Sequence, residues 1–224
     1  MPRLTVPIIL PILKKLYPYA RYTLDHSNAF ELLIATILSA QCTDKRVNIV
    51  TKTLFAKYKT PQDYIAVSQE ELERDIFQCG TYRMKAKAIQ ATCQTLIDYF
   101  DSQVPRTMKN MLTLRGVGRK TASVVLGDAY GIHEGIAVDT HVTRVAKRLG
   151  LTRHTQQSKI EKDLMRQTPR EEWSAISHLL IAHGRAVCTA RKSPCTDCLD
   201  AYLPPQYRSV KTGRSSQSAK KKRK

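Results

Sequence analysis

The stretch "LRGVGRKTASVVLGDAYG", residues 114–131, sets two glycines around one valine, follows them with an Arg-Lys pair, and runs on as an apolar repeat. Ala122, Val125, Leu126 and Ala129 fall on one helical face, and Gly131 stands where a left-handed stop ends such a helix. A second apolar helical run, "MKNML" (108–112), precedes the glycines. The order is therefore helix, tight glycine turn, helix. Glycine lets a backbone turn sharply and come close to a ligand. The first amides of the following helix have no partner in the helix and carry the positive end of its dipole. Such a hairpin holds a phosphate through backbone N–H groups without reading a base. The candidate DNA-binding residues here are Gly116, Val117, Gly118 and Arg119, with the amine of Lys120 on the first turn. A plain turn between two packed helices is the other reading of a lone G-x-G.

Outward from the hairpin the apolar period stays helical. Phe30, Leu33, Ile34, Ile37 and Leu38 form one stripe, with Asn28 as its cap and Glu31 three residues on. "TPQD" (60–63) puts Thr at an N-cap and Pro at the first helical position, and "SQEE" (68–71) reads as a capping box. Ile89, Cys93, Leu96, Ile97 and Phe100 share a face, as do Val142, Val145, Ala146 and Leu149 before Gly150. "TPRE" (168–171) starts a last long helix through Trp173, Ile176 and Leu180. No run alternates with period two, and no hairpin turn signal occurs. The fold class expected is all-α, with about ten helices.

Composition narrows the partners. The 224-residue chain carries a net charge of +18. Residues 211–224 hold seven Lys/Arg and no acid, so the remainder still carries +11. That excess in a folded body suits a polyanion, and nucleic acid is the usual one. The tail reads as a disordered basic arm that adds non-specific DNA affinity. The N-terminal apolar run is interrupted by Pro7 and Pro11 and is too short for a bilayer, so a packing segment is expected, with no signal peptide and no membrane partner. A reducing compartment follows, taken as a prokaryotic cytoplasm. There Cys42, Cys79 and Cys93 read as small buried residues.

Two further clusters carry chemistry. Asp139, in "GIAVDTHVTR" (135–144), precedes a helical stripe in a basic stretch, where a helix N-terminus and cations favour its ionised form. Alone it reads as a helix cap. If Lys120 faces it, a second role opens. A lysine made less basic by burial is a nucleophile, and a carboxylate beside it stabilises developing positive charge. Cys188, Cys195 and Cys198 have the C-x6-C-x2-C spacing of zinc or iron–sulfur ligands, one short of the four that a closed site takes. Asp197, Asp200 or His183 could supply another donor, and nothing in the spacing selects one.

Through these motifs the chain resembles the endonuclease III family of the helix-hairpin-helix DNA glycosylase superfamily, over about residues 20–205. The resemblance rests on "LLIATILSAQCTD", "GVGRKTASVVL", "AVDTHVTRVAKRLGL" and "HGRAVCTARKSPCTDC" in that order. It implies a two-lobed fold with DNA in the cleft. The six-helix lobe with the hairpin would span 22–132. The second lobe would be built from 1–21 and 133–208 with the cysteine loop, and 209–224 would be a disordered tail. It implies a base-excision repair DNA glycosylase with abasic-site lyase activity, acting as a monomer on damaged double-stranded DNA with no nucleotide cofactor. Oxidised pyrimidines would be removed and the strand nicked by β-elimination. Lys120 would be the nucleophile that forms a Schiff base, and Asp139 the assisting carboxylate. Gln41 matches the residue that fills the gap left by the flipped base, and Thr81 and Tyr82 occupy the wedge loop, where relatives often insert a leucine.

The chain also departs from the pattern. The family's loop, C-x6-C-x2-C-x5-C, holds a [4Fe-4S] cluster, and here Pro204 stands at the fourth position. The cluster is then absent, three-iron, or completed by another ligand. Leu114-Arg115-Gly116 replaces a Leu-Pro-Gly. Other readings are the same fold acting on another lesion or mismatch, a non-catalytic helix-hairpin-helix DNA-binding module, and an iron-sensing DNA-binding protein. Binding alone requires neither Lys120 nor Asp139.

Overall fold

The computed structural model describes residues 3–20, 23–191 and 199–208. Every regular element among them is helical: α1 (Val6–Leu16), α2 (Ala29–Leu38), α3 (Asp44–Lys57), α4 (Pro61–Ala66), α5 (Gln69–Ile76), α6 (Tyr82–Phe100), α7 (Met108–Met111), α8 (Arg119–Tyr130), α9 (Thr140–Arg148), α10 (Gln157–Met165) and α11 (Trp173–Ala186), with 3-10 turns at Phe77–Cys79, Arg170–Glu172 and Pro205–Tyr207.

Two separate apolar cores organise these helices. The first gathers residues from Leu24 to Leu126 around α2, whose Leu32–Leu38 are all buried. A helix apolar on every side belongs at a lobe's centre, with the rest packed around it. The second core joins Val6, Ile9 and Leu13 of α1 to residues from Ile136 to Leu203. One core is thus continuous in sequence, and the other is closed by the N-terminal helix docking onto the C-terminal half. The described residues place seven α-helices in the first lobe, because the one-turn α7 precedes the hairpin.

Local signals account for most helix starts. Asn28 Oδ1 accepts from Glu31 N at 2.9 Å, while Glu31 Oε2 accepts from Ser27 N at 2.7 Å. Thr60 and Asp63 form a complete capping box. At Ser68 only half of the expected box is made, Ser68 Oγ accepting from Glu71 N. The last helix starts later than expected, since Arg170–Glu172 is a 3-10 turn and α11 begins at Trp173. The prolines do not break the N-terminal segment. Pro7 sits in the first turn, where an N–H would be unpaired anyway, and the bond that Pro11 cannot donate would go to the carbonyl of Pro7. Cys79 and Cys93 are buried as expected, but Cys42 is half-buried on the edge of the cleft between the lobes.

Among the described residues, polar contacts tie the lobes together at several points. Arg119 Nε of α8 donates to Glu161 Oε2 of α10 at 2.8 Å. Ser174 Oγ of α11 donates to Asp128 Oδ1 at 2.9 Å, and Arg185 Nη2 donates to Asp44 Oδ2 at 2.9 Å across 141 residues. Between them lies a cleft of about 760 Å³.

Candidate active site

The hairpin adjoins the cleft, which Lys120 lines just after it. Leu114 and Val117 are buried in the core of the first lobe, and Val117 N donates to Leu114 O at 3.2 Å. Thr92 Oγ1 of α6 donates to Arg115 O at 2.7 Å and fixes the turn from behind. Gly116 has φ +79°, and a Cβ there would lie 3.1 Å from Ala88 Cβ, so the turn needs glycine for its dihedral and for its closeness to α6. Gly118 differs. Its φ is −90°, a Cβ there would meet nothing within 4 Å, and as the N-cap of α8 it offers no capping side chain. The first amides of α8 therefore receive no capping side chain, and they carry the positive end of the helix dipole.

Lys120 follows on the first turn of α8 and lines the cleft, exposed. The buried lysine considered from the sequence is therefore not what the free protein shows at this position. Arg119 points the other way. Its side chain is committed to Glu161 and, at 3.4 Å, to the Glu134 carbonyl, so its backbone amide is the part left for a ligand.

Asp139 lines the same cleft from the second lobe. It is the N-cap of α9, and its Oδ1 accepts from Val142 N at 2.8 Å. The cap takes one oxygen, and a carboxylate has a second to present. The run Ile136–Val138 before it is buried in the second core and holds the aspartate at the rim. Ser177 Oγ of α11 donates to Ala137 O at 2.7 Å and adds to that hold.

Gln41 and Thr81 sit at exposed turns of the first lobe, both with left-handed backbones at φ +52° and +41°. Gln41 lines the cleft. Tyr82 is half-buried against the first core with Arg83 over its ring, so the exposed tip of that turn is Thr81.

Residues outside the sequence-derived set also line the cleft: Tyr17, Asp44, His141, His178 and Arg185. His141 lies two residues past Asp139 in the same sequence motif, and that position is the signal that could have found it. Tyr17 and Arg185 are brought in by α1 and α11, which no local pattern predicts.

Of the cysteine loop, Cys195 and Cys198 lie outside the described residues, as does the basic tail. Cys188 is buried after α11, with Arg148 Nη1 donating to its Sγ at 3.3 Å and Arg144 Nε to its carbonyl at 3.0 Å. The fourth position, Pro204, opens the last 3-10 turn and has no donor atom. The donor set does not fit a four-thiolate centre.

Comparison with known proteins bears on this geometry. Residues 34–170 match the model of the HhH-GPD superfamily base excision DNA repair protein. The chain is 50% identical to endonuclease III of Synechocystis over 197 residues, covering 88% of this chain and 90% of that protein. It is 51% identical to endonuclease III of Bacillus subtilis over 184 residues, covering 82% and 84%. A solved structure of a trapped endonuclease III–DNA covalent intermediate superposes with a TM-score of 0.82 at 51% identity, covering 86% of this chain and 91% of that one. A non-covalent endonuclease III–DNA complex gives 0.83 at 49% identity, covering 90% and 94%. Among the described residues, no helix is long and apolar enough to cross a membrane.

Proposed function

Because the chain belongs to the endonuclease III family of the HhH-GPD superfamily, base-excision repair DNA glycosylases that are also abasic-site lyases, we propose that Lys120 is its nucleophile and Asp139 the carboxylate that assists it. The observation that carries this is one cleft lined by both side chains, Lys120 from the first lobe and Asp139 from the second.

Chemistry and grip are neighbours in the chain. The amides after Gly118 hold a backbone phosphate, which places the adjoining sugar beside Lys120. Because Lys120 is exposed in the free protein, bound DNA itself excludes the water around the amine. The neutral amine attacks C1′, the C1′–N bond breaks, and the damaged base leaves with the bonding pair and takes up a proton. Asp139 stabilises the positive charge that grows on the sugar and holds the proton that the lysine gives up. The nitrogen lone pair then opens the sugar ring: the C1′–O4′ bond breaks, O4′ takes up a proton and stays as a hydroxyl, and a Schiff base joins Lys120 to C1′. Removal of a C2′ proton then expels the 3′ phosphate by β-elimination, and water releases the enzyme.

Two exposed turns of the first lobe serve the same reaction. Gln41 fills the vacancy of the extruded nucleotide, and Thr81 rather than Tyr82 is the tip that parts the stack, since Tyr82 is packed on the first core. Oxidised pyrimidines are the substrate class, with DNA bound by a monomer in the cytoplasm. The cysteine loop supplies no step, because Pro204 leaves it short of four thiolates. An iron count on the purified protein is expected below four atoms per chain, and four would mean that another residue replaces the missing thiolate.

The test is borohydride trapping on duplex DNA with one abasic site, wild type beside Lys120→Ala. A covalent protein–DNA band in wild type alone is expected. Trapping by Lys120→Ala at the wild-type rate would move the nucleophile to another amine.

A further inference from the structure

Lys85 is a lysine that solvent hardly reaches. It stands in the first turn of α6 and is 5% exposed. Burial of an ammonium is costly, and desolvation pushes its pKa down, against the smaller opposing influence of the Cys42 and Cys79 thiols. An apolar side chain would fill the same space without that cost. What the ammonium adds is two hydrogen bonds. Nζ donates to Leu38 O at 2.8 Å and, in a shorter contact, to Cys79 O.

Those two carbonyls come from different segments, and each roots a turn that faces DNA in the proposed function. Leu38 ends α2, and its carbonyl is among those with no partner further along the helix. Three residues later the chain reaches Gln41 at φ +52°. Cys79 ends the 3-10 turn, and two residues later the chain reaches Thr81 at φ +41°, just after Gly80 at +56°. A left-handed backbone at a non-glycine residue is strained and persists only where its surroundings hold it. A second tie runs in parallel on the surface, from Arg46 Nη1 of α3 to Gln78 Oε1 at 2.8 Å.

We propose that Lys85 is a positioning residue that locks the Gln41 and Thr81 turns into one two-pronged probe. The inference rests on the reading of those turns as the residues that enter the duplex. Lys85 touches neither DNA nor the reacting atoms. It sets the spacing at which the two prongs part the stack, and so governs extrusion of the damaged nucleotide and leaves the amine chemistry alone. The Arg46–Gln78 contact supports the same spacing from outside.

The experiment compares a substrate that must be opened with one that is already open. On duplex DNA with a damaged base, Lys85→Met is expected to lose about 10-fold or more in single-turnover rate, since small misplacements of positioned groups are costly. The rise of 2-aminopurine fluorescence, which reports extrusion, slows in step. On a single-stranded oligonucleotide with a preformed abasic site, its borohydride trapping stays within about 2-fold of wild type. Lys85→Arg, which keeps two donors, recovers part of the duplex rate. Equal loss on both substrates, or no loss on either, overturns the proposal. If Lys85→Met does not fold, the exposed Arg46→Ala and Gln78→Ala carry the same comparison, with a smaller loss confined to the duplex. Wild type that traps on neither substrate would instead remove the lyase reading itself, which the variants do not test.

Discussion

Arg119 and Glu161 clasp the two lobes one residue away from Lys120. Arg119 Nε lies 2.8 Å from Glu161 Oε2 and 3.1 Å from Oε1, and the glutamate is buried while half of the arginine faces solvent. Gly135 lies directly behind, and a side-chain carbon there would run into Glu161 Oε1 and crowd Arg119 Nη2. The first turn of α8, with its amine, is thereby held against the second lobe, which carries Asp139. Glu161→Ala removes that hold at the amine's end of α8 and leaves the helix tied to the second lobe at its other end, through Asp128 and Ser174. The expected outcome is a stability loss of about 1–3 kcal/mol, below the fully buried range because Arg119 is partly solvated. The lyase rate falls further than DNA affinity does. Thermal melts beside single-turnover kinetics check this, and a rate equal to wild type in the folded variant would mean that the lobes keep their register without the pair.

Asp139 has two roles that one substitution separates. Asparagine is as good an N-cap as aspartate, so Asp139→Asn keeps the bond from Val142 N and changes stability by only a few tenths of a kcal/mol. It removes the charge, and the glycosylase rate is expected to drop by about 10²-fold or more. Asp139→Ala loses both, with about 1 kcal/mol of stability in addition. If Asp139→Asn excises bases at the wild-type rate, the aspartate is a cap and nothing more.

The local parts of this molecule were legible in its sequence because they depend on neighbours along the chain. Asn28 and Thr60 as caps, Gly131 as a stop and the glycine turn at 116–118 each rest on dihedral or hydrogen-bonding preferences of a few adjacent residues. Lys120 and Asp139 were legible as motif positions. Lys85, Glu161 and the Asp44–Arg185 pair were not, because packing delivers a defining partner from far along the chain: Leu38 for Lys85 at 47 residues, Arg119 for Glu161 at 42, and Asp44 for Arg185 at 141. The N-terminal helix shows the same limit. Two prolines argue against a helix locally, while three fully buried apolar side chains docked on the second core outweigh them.

The two hairpin glycines should respond in opposite ways. Gly116→Ala places a side chain at φ +79° and against Ala88, so a loss of about 2–4 kcal/mol is expected, along with DNA affinity. Gly118→Ser meets no steric obstacle and adds a capping hydroxyl to α8, worth a few tenths of a kcal/mol. That hydroxyl takes an amide otherwise open to phosphate. A more stable protein that binds duplex DNA more weakly is therefore expected, measured by melts and by anisotropy at fixed salt. Unchanged affinity would place the phosphate contact elsewhere.

His183, buried in the second lobe within 2.9 Å of the Tyr17 hydroxyl, ties stability to pH. Burial disfavours the charged ring, so its folded pKa lies below the ordinary value of 6.5. Between those two values the unfolded chain binds the extra proton and the folded one does not. Stability is therefore intact above about pH 6.5 and falls as pH drops toward the folded pKa, by at most about 1.4 kcal/mol per pH unit. Melts from about pH 8 to about 5, either side of the ordinary imidazole at about 6.5, should show a decline that begins near the unfolded value. His183→Gln, with no group to titrate, should melt lower at pH 8 yet lose less on acidification. An acid profile as steep in that variant as in wild type would assign the decline to the carboxylates, of which Asp163 and Asp63 are both held below their usual range by hydrogen bonds, from Thr152 and from the Thr60 and Lys59 amides. Those groups protonate at lower pH than an imidazole, so the position of the onset distinguishes the two sources.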